Sequence, residues 1–458
     1  MALQRHRVRT LTSTEHPPPS ATTAPPPSAT AAPPPPQAAA ALLPPPARAV
    51  LLLPVAAAAL LVAPSSASAG TASCAPAPHP RTRDCTTSPG LSGMAARPNA
   101  RTPHRRECRC WRFVRPEGLP GETALTGISA PSSRTGWAVG RAGTVPLALR
   151  WTGTRWRRTP LPLPDRTALG AISAVSANDA WIVGSSADGG ARTAHWSGRR
   201  WTPGTLPASG GKPISARGVA ARAPGDVWAV GSTGGFAGTM AVTWHFDGRS
   251  WTVAPTGSAP GSALNAVAAD APDDAWAVGT AGDRQLLLRW DGRSWISTSP
   301  PRQAAEATPS AVAAASPTNV WAVGTTPSGA ALVEHWDGHV WSVVPAPLPA
   351  SGRPAGARAG RVAGTPLGAT AVVTDGQEGV WISGADAASR PYLAHAGGTS
   401  WEVSRPPLPV AGSGRTSGTI SALALVPGTP EVRAAGTFST PNGSPAQALT
   451  WTNTPRPR

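Results

Sequence analysis

The stretch APDDAWAVGTAGDRQLLLRWDGRSW, residues 271–295, decides the fold, because close copies of it recur along the chain. Its central motif, Trp-Ala-Val-Gly, has copies or near copies that begin at Trp137, Trp181, Trp228, Trp276, Trp321 and Trp381. A divergent seventh copy, Arg-Ala-Ala-Gly, begins at Arg433. Successive copies begin 44–60 residues apart. A unit repeated at this period is typical of a tandem architecture such as a propeller or a solenoid.

Each repeat contains the pattern of four short strands, which we letter a to d. A short apolar segment such as ALNAVAA (263–269) precedes the motif and forms strand a, and the motif itself forms strand b. Strand c ends in Trp, as in LLLRW (286–290), and strand d begins with Trp295. The Asp-Gly pair between c and d predicts a type I′ hairpin turn. Four strands per repeat predict an all-β protein, a seven-bladed β-propeller of four-stranded blades.

The two ends of the array predict how the ring closes. The last repeat ends after strand c, QALTW (447–451), and has no strand d. WRFVRP (111–116), before the first repeat, has the pattern of a strand d without a, b or c. We therefore expect an N-terminal strand at about 111–116 to complete the last blade. Such closure removes exposed sheet edges.

The first 110 residues have a different composition from the repeats. Residues 1–47 are rich in Pro and Ala and are predicted to be disordered. Residues 48–69 contain a basic residue, a short apolar run and a small-x-small site in the order of a secretory signal peptide. The alternatives are an uncleaved signal-anchor that tethers the protein to the membrane, or an unstructured Ala/Pro tract. We predict a secreted monomer with no membrane span after cleavage, a linker at 70–110 and the propeller at 111–458.

The predicted linker contains all four cysteines of the chain, Cys74, Cys85, Cys108 and Cys110. An exported chain meets oxidising conditions, so disulfides are allowed there, and all three pairings of four cysteines stay open. Two cysteines in a Cys-x-Cys arrangement, without a second pair or a His cluster, are a weak zinc pattern. We expect no metal and no cofactor.

The formal net charge of +17 does not predict a nucleic-acid partner. Lys212 is the one lysine, and the arginine excess, together with abundant Ala, Gly and Pro, is explained by a GC-rich genome. The repeats contain no dense basic run with interleaved aromatic residues, which nucleic-acid binding would favour.

Two sets of polar residues recur at fixed repeat positions. Histidines precede the last residue of strand c at His195, His245, His335 and His395. Equivalent positions in different blades cannot converge on one ion, so we predict a structural role for them. Carboxylates or an amide stand two residues before the motif at Asp179, Asp226, Asp274 and Asn319. Their repetition favours Asx-type turns between strands a and b over a catalytic pair.

Ligand contacts are expected on one face of the ring. The b–c loops and the loops from strand d to the next strand a share a face, which we call the upper face. The residues that we predict to bind ligand are Arg192, Asp283, Arg284, Glu306 and Arg358. Arg358 belongs to the longest loop, residues 345–366.

Over residues 111–458, the Trp-Ala-Val-Gly motif followed by His-Trp-Asp-Gly resembles the secreted β-propeller repeat proteins of actinobacteria. The same pattern is more distantly similar to tectonin repeats, which build sugar-binding propellers. The hairpin DGRSW (291–295) resembles the Asp-box of sialidase-type propellers, although Asp and Gly are adjacent here. The Asp-box is structural in its families and implies no activity.

The pattern predicts a non-catalytic secreted module that recognises a glycan, a cell-wall polymer or a protein. The alternatives are an extracellular enzyme on the same scaffold, either a glycoside hydrolase or sialidase-like enzyme or an oxidoreductase, and a purely structural role. Galactose-oxidase-like copper chemistry requires two tyrosine ligands, and Tyr392 is the chain's single tyrosine.

Overall fold

A computed structural model of the chain describes residues 110–119, 121–207, 214–234, 238–346, 368–386, 389–397, 400–409, 416–440 and 445–454. These residues form seven four-stranded antiparallel sheets, as the repeats predict. The predicted disordered segment, the signal region, and Cys74, Cys85 and Cys108 lie outside the described residues.

The strands are numbered in chain order, and each blade uses four of them. Blade 1 contains β2 (Thr123–Ser129), β3 (Gly136–Ala142), β4 (Val145–Trp151) and β5 (Trp156–Thr159). Blade 2 contains β6 (Ala168–Ser176), β7 (Asp179–Ser185), β8 (Ala191–Trp196) and β9 (Trp201–Thr205). Blade 3 contains β10 (Ile214–Ala223), β11 (Asp226–Thr233), β12 (Met240–Phe246) and β13 (Trp251–Ala254). Blade 4 contains β14 (Ser262–Ala271), β15 (Asp274–Ala281), β16 (Arg284–Trp290) and β17 (Trp295–Thr298).

The remaining blades follow the same order. Blade 5 comes after a short 3₁₀ helix, η1 (Arg302–Ala304), and contains β18 (Thr308–Ser316), β19 (Asn319–Thr325), β20 (Ala331–Trp336) and β21 (Trp341–Val343). Blade 6 contains β22 (Ala369–Thr374), β23 (Val380–Ala385), β24 (Pro391–Gly397) and β25 (Ser400–Ser404). Blade 7 contains β26 (Ser417–Leu425), β27 (Val432–Ser439), β28 (Gln447–Thr454) and β1 (Cys110–Val114).

Strand β1 closes the ring, which confirms the prediction for the N-terminal strand. It pairs antiparallel with β28, from Cys110 opposite Thr454 to Val114 opposite Thr450. The strand therefore starts one residue earlier than expected and ends two residues earlier. The innermost strands contact one another in succession around the ring, and β2 contacts β26. The first and last blades are thereby neighbours.

The core lies between the blades, where the motif Trp of one blade packs on the next blade. Trp276 of blade 4 is fully buried against Trp336 and Trp341 of blade 5, with ring centroids 5.1 and 5.4 Å away. Such tilted and edge-to-face contacts contribute about 0.5–1.5 kcal/mol beyond area burial. Because both faces of strand b are covered, the motif is apolar throughout instead of alternating.

The prediction of type I′ turns at Asp-Gly is wrong. Four residues, 247–250, separate the last paired residues Phe246 and Trp251. Gly248 has a φ of 94°, and Asp247 is not among the residues with positive φ. The Asp247 carboxylate instead accepts the backbone N–H groups of Arg249 and Ser250, each at 2.9 Å. These bonds hold the pKa of Asp247 below its ordinary value, and they stabilise the longer loop.

Among the described residues, no helix is both long enough and apolar enough to cross a membrane.

Candidate functional site

A β-bulge in strand a explains why the motif ends in glycine. In β14 the pairing with β15 shifts between Leu264 and Ala266, so Asn265 is the extra residue. The bulge brings the strand a backbone over strand b, where a Cβ on Gly279 would lie 1.9 Å from the carbonyl oxygen of Ala263. No side chain fits in that space, and the motif therefore requires glycine at this position.

The same bulge occurs in all seven innermost strands, and the extra residues form one ring. They are Thr126, Gly170, Arg217, Asn265, Ser310, Thr370 and Ser421. The innermost strands surround the propeller axis, and the extra residue occupies the same position in each of them. These residues therefore encircle the central channel, and we call them the channel ring. Each lies near the glycine end of the motif, which leads into a b–c loop, so the ring lies toward the upper face.

Side chains of the channel ring connect neighbouring blades. The acceptor is in each case the carbonyl of the residue before the next bulge, in the pairs Thr126 Oγ1 to Leu169 O (2.9 Å), Asn265 Nδ2 to Pro309 O (2.8 Å) and Thr370 Oγ1 to Ile420 O (2.6 Å). At Gly170 a Cβ would lie 2.5 Å from the carbonyl oxygen of Arg217, so this member has no room for a side chain. The ring is polar because its side chains bind backbone carbonyls that strand pairing leaves free.

Arg217 differs from the other ring members. Its Nη1 donates to Asn265 Oδ1 at 2.6 Å instead of to a backbone carbonyl. The residue is exposed, and it forms no ion pair with any residue that the structure describes. The ring thus presents one cation to the channel. Sequence reasoning missed the ring, although a polar residue before a small residue in six of the seven strands a was a visible signal.

Three of the predicted ligand-binding residues lie together at the junction of blades 4 and 5. Asp283 and Arg284 are exposed at the b–c turn of blade 4, and Glu306 is exposed just before β18. The backbone N–H of Gln285 donates to the carbonyl of Ala305 at 2.8 Å, which brings the two segments side by side on the upper face. These carboxylates and the guanidinium are available to a ligand at this position.

The other two predicted residues are not brought to that junction. Arg192 belongs to blade 2, where its guanidinium forms an ion pair with Asp188. Asp188 also accepts the backbone N–H of Gly190, which holds the pKa of the carboxyl below its ordinary value. Arg358 lies outside the described residues.

A buried polar pair lies directly below the junction, and sequence reasoning did not identify it. Gln285 Nε2 donates to Glu334 Oε1 at 3.1 Å, and Glu334 is completely buried. Burial raises the pKa of Glu334 to about 7. The equivalent positions opposite the second motif residue are apolar in the other blades, namely Leu149, Ala194, Trp244, Leu288, Ala394 and Trp451. Aligning the repeats would have exposed this single acidic exception.

Each of the four recurrent histidines binds a carboxylate or amide side chain of its own blade, in blades 2, 3, 5 and 6. The distances are 3.0 Å for His195 Nε2 to Asp179, 2.9 Å for His245 Nε2 to Asp226, 3.1 Å for His335 Nε2 to Asn319 and 3.0 Å for His395 Nε2 to Asp375. Each imidazole also contacts the motif Trp of its blade. His195 and His395 stack on Trp181 and Trp381, with ring centroids 4.1 and 4.4 Å apart, and the other two imidazoles are tilted. The predicted Asx turns at Asp179, Asp226, Asp274 and Asn319 are therefore wrong, because these side chains reach across to strand c, where Asp274 accepts from Arg289 Nε at 2.9 Å. The part of the chain that the structure describes holds no group of three or more His, Cys, Asp or Glu residues suited to a metal ion.

Comparison with known proteins finds similarity in fold. No family model matches it, and no curated protein matches it. Among solved structures, it is similar to an inactive variant of virginiamycin B lyase from Staphylococcus aureus bound to quinupristin, with 9% identity, a TM-score of 0.50, and coverage of 76% of this chain and 99% of that one. YCF48 from Cyanidioschyzon merolae has 14% identity, a TM-score of 0.49 and coverage of 76% and 100%.

A six-bladed fucose-recognising lectin from Aleuria aurantia has 14% identity, a TM-score of 0.44 and coverage of 64% of this chain and 100% of that one. At such low identities the likeness concerns the fold and carries no information on function.

Proposed function

We propose that the protein is a secreted, non-catalytic propeller that binds an extracellular glycan, cell-wall polymer or protein through its upper face. The observation that carries this proposal is the channel ring, which gathers polar side chains of six blades around one axis. Convergent polar groups on a rigid scaffold are what ligand orientation requires. The exposed carboxylates and guanidinium of Asp283, Arg284 and Glu306 extend the polar surface to the rim of the same face.

The burial of Tyr392 supports a binding function and disfavours an enzyme whose mechanism requires a tyrosine. Its side chain is 1% exposed and packs over Gly384, where a Cβ would lie 2.3 Å from the phenolic oxygen. Burial also raises the pKa of the phenol above its ordinary value. The hydroxyl therefore faces the interior of a blade, and neither a radical ligand nor a sialidase-type nucleophile is offered to the channel.

We also propose the finer assignments that the sequence predicts. Residues 48–69 serve as the signal peptide, 1–47 as a disordered leader and 70–110 as the linker. By the resemblance of its repeats, we propose that the chain is related to the actinobacterial propellers, and more distantly to tectonin and Asp-box proteins. The capping of backbone amides by Asp247 and its equivalents supports a structural role for the Asp-box-like hairpin.

Glycan and peptide arrays probed with the purified protein test this function, together with a panel of glycoside hydrolase and oxidase substrates. We expect saturable binding and recovery of the ligand unchanged. Turnover that survives repurification, and that co-elutes with the protein, would show instead that the propeller is an enzyme.

A further inference from the structure

The channel lining of the upper half carries a single charge. The charged residues of the described innermost strands are Arg217, Arg222 and Asp270. Arg222 and Asp270 lie five residues beyond the channel ring, toward the lower face, and Arg222 donates to the carboxylate of Asp226 at 2.6 Å. Arg217 is therefore the one charged residue of the described ring and of the strand segments above it.

Connecting two neighbouring blades at the channel ring does not require a side chain as large as that of Arg217. Thr126, Asn265 and Thr370 connect neighbouring blades at the same position with short neutral side chains. Arg217 uses one N–H on the amide oxygen of Asn265, and arginine has five N–H donors. The remaining donors form a planar fork, which matches a carboxylate in bidentate geometry.

The surrounding groups indicate the class of ligand. The side-chain hydroxyls of Ser310 and Ser421 form no hydrogen bond among the described residues. Ser310 is exposed and Ser421 is half-buried at the channel ring. The exposed large apolar side chains, Phe113, Met240, Val253, Ile296 and Val340, all lie outside the innermost strands. A peptide carboxy terminus is typically captured by backbone N–H groups, whereas the donors that the structure describes in this lining are the side chains of Arg217, Ser310 and Ser421. Hydroxyls and a guanidinium suit a polyhydroxylated acid.

We propose that Arg217 binds the carboxylate of an acidic saccharide that enters the channel from the upper face, with Ser310 and Ser421 bonding its hydroxyls. The proposal rests on the proposed binding function and names the ligand class of the same site. It gives Arg217 a role in ligand binding in addition to its hydrogen bond between blades.

Arg217→Thr is the direct test, because threonine occupies the same ring position in blades 1 and 6. Arg217→Gln is a second variant that retains reach to Asn265 if threonine disturbs folding. Arg249→Thr is the matched control, since it removes an exposed arginine from a c–d turn on the lower face. All four proteins are probed on arrays of uronate and sialate glycans, their neutral counterparts, and peptides with free or amidated carboxy termini.

We expect the wild type and Arg249→Thr to bind carboxylated glycans, and both Arg217 variants to lose affinity at least tenfold while their melting temperatures stay close to the wild-type value. Binding of neutral glycans alone, or Arg217 variants that bind normally, would overturn the role of Arg217 and leave the proposed function intact. Preference for free peptide carboxy termini would overturn the saccharide class. Absence of binding to every probe would overturn both the inference and the proposed function.

Discussion

Trp111 packs edge-on against Trp381, with ring centroids 5.6 Å apart and ring planes at 80°. Trp111 belongs to the N-terminal strand β1, and Trp381 is the motif Trp of blade 6. The same contact recurs inside the array, where Trp341 packs edge-on against Trp276 at 5.4 Å. The N-terminal strand thus supplies to blade 7 the indole that strand d supplies elsewhere.

The next interface closes with a different chemistry. Arg433 replaces the motif Trp in blade 7, and its guanidinium lies over the ring of Trp151 in blade 1 at 5.3 Å. Arg433 also donates to Glu431 at 2.8 Å and to the carbonyl of Ser133 at 2.5 Å. In the divergent motif, the arginine therefore replaces the motif Trp in the contact between the last blade and the first.

Removing the closing indole should strongly destabilise the ring. We expect Trp111→Ala to lower the free energy of unfolding by about 3–5 kcal/mol, because it deletes a buried tryptophan. Trp401→Ala is the comparison, since Trp401 is the corresponding indole in strand d of blade 6 but is only partly buried. Chemical denaturation should rank Trp111→Ala well below Trp401→Ala. Equal losses in the two variants would contradict the closing role of Trp111.

The motif glycine should tolerate no side chain. Gly279→Ala would place a methyl group against the carbonyl of Ala263, so we expect a loss of about 3 kcal/mol. Gly238→Ala is the matched control, because a Cβ added there would have no other atom within 4 Å. Thermal unfolding distinguishes them, and a Gly279→Ala protein as stable as Gly238→Ala would show that the bulge is not where we place it.

Glu334 should make stability depend on pH. Its pKa is about 7 in the folded protein and 4.5 ordinarily, so the folded state retains a proton that the unfolded state has lost. Stability from this group is complete below pH 4.5 and is lost as the pH rises to about 7. The upper bound of that loss is about 3 kcal/mol.

Glu334→Gln tests this dependence, because an amide keeps the hydrogen bond to Gln285 and cannot ionise. We expect the variant to equal the wild type near pH 4.5 and to exceed it at pH 8 in urea denaturation. Glu402→Gln, at an exposed strand position, should leave the pH profile unchanged. A Glu334→Gln protein with the wild-type pH profile would refute the raised pKa.

The histidine–carboxylate pairs should be interchangeable with their amide form. Blade 5 naturally uses Asn319 with His335, so Asp179→Asn in blade 2 should preserve the bond to His195. Asp179→Ala leaves His195 without this partner and should cost about 1–3 kcal/mol. If denaturation shows Asp179→Asn to be as costly as Asp179→Ala, the contact depends on charge and not on hydrogen bonding.

The repeats predicted the blade count and the closing strand, because tryptophan and glycine positions reflect packing that is the same in every blade. The sequence did not predict which polar residues meet. His245 and Asp226 stand 19 residues apart, and only the register of strands b and c brings them together. The channel ring was hidden for a similar reason: a bulge changes where Asn265 points, and a pattern with a strict period of two does not reveal it.

Closure by β1 is the central claim, since the channel ring and the binding function proposed for it require a closed ring. The most direct measurement compares the thermal unfolding of chains that begin at residues 105 and 118. We expect the chain from 105 to unfold cooperatively, and the chain from 118, which lacks Trp111 and the edge partner of β28, to unfold at a temperature lower by more than about 10 °C. Equal melting temperatures for the two chains would contradict the claim.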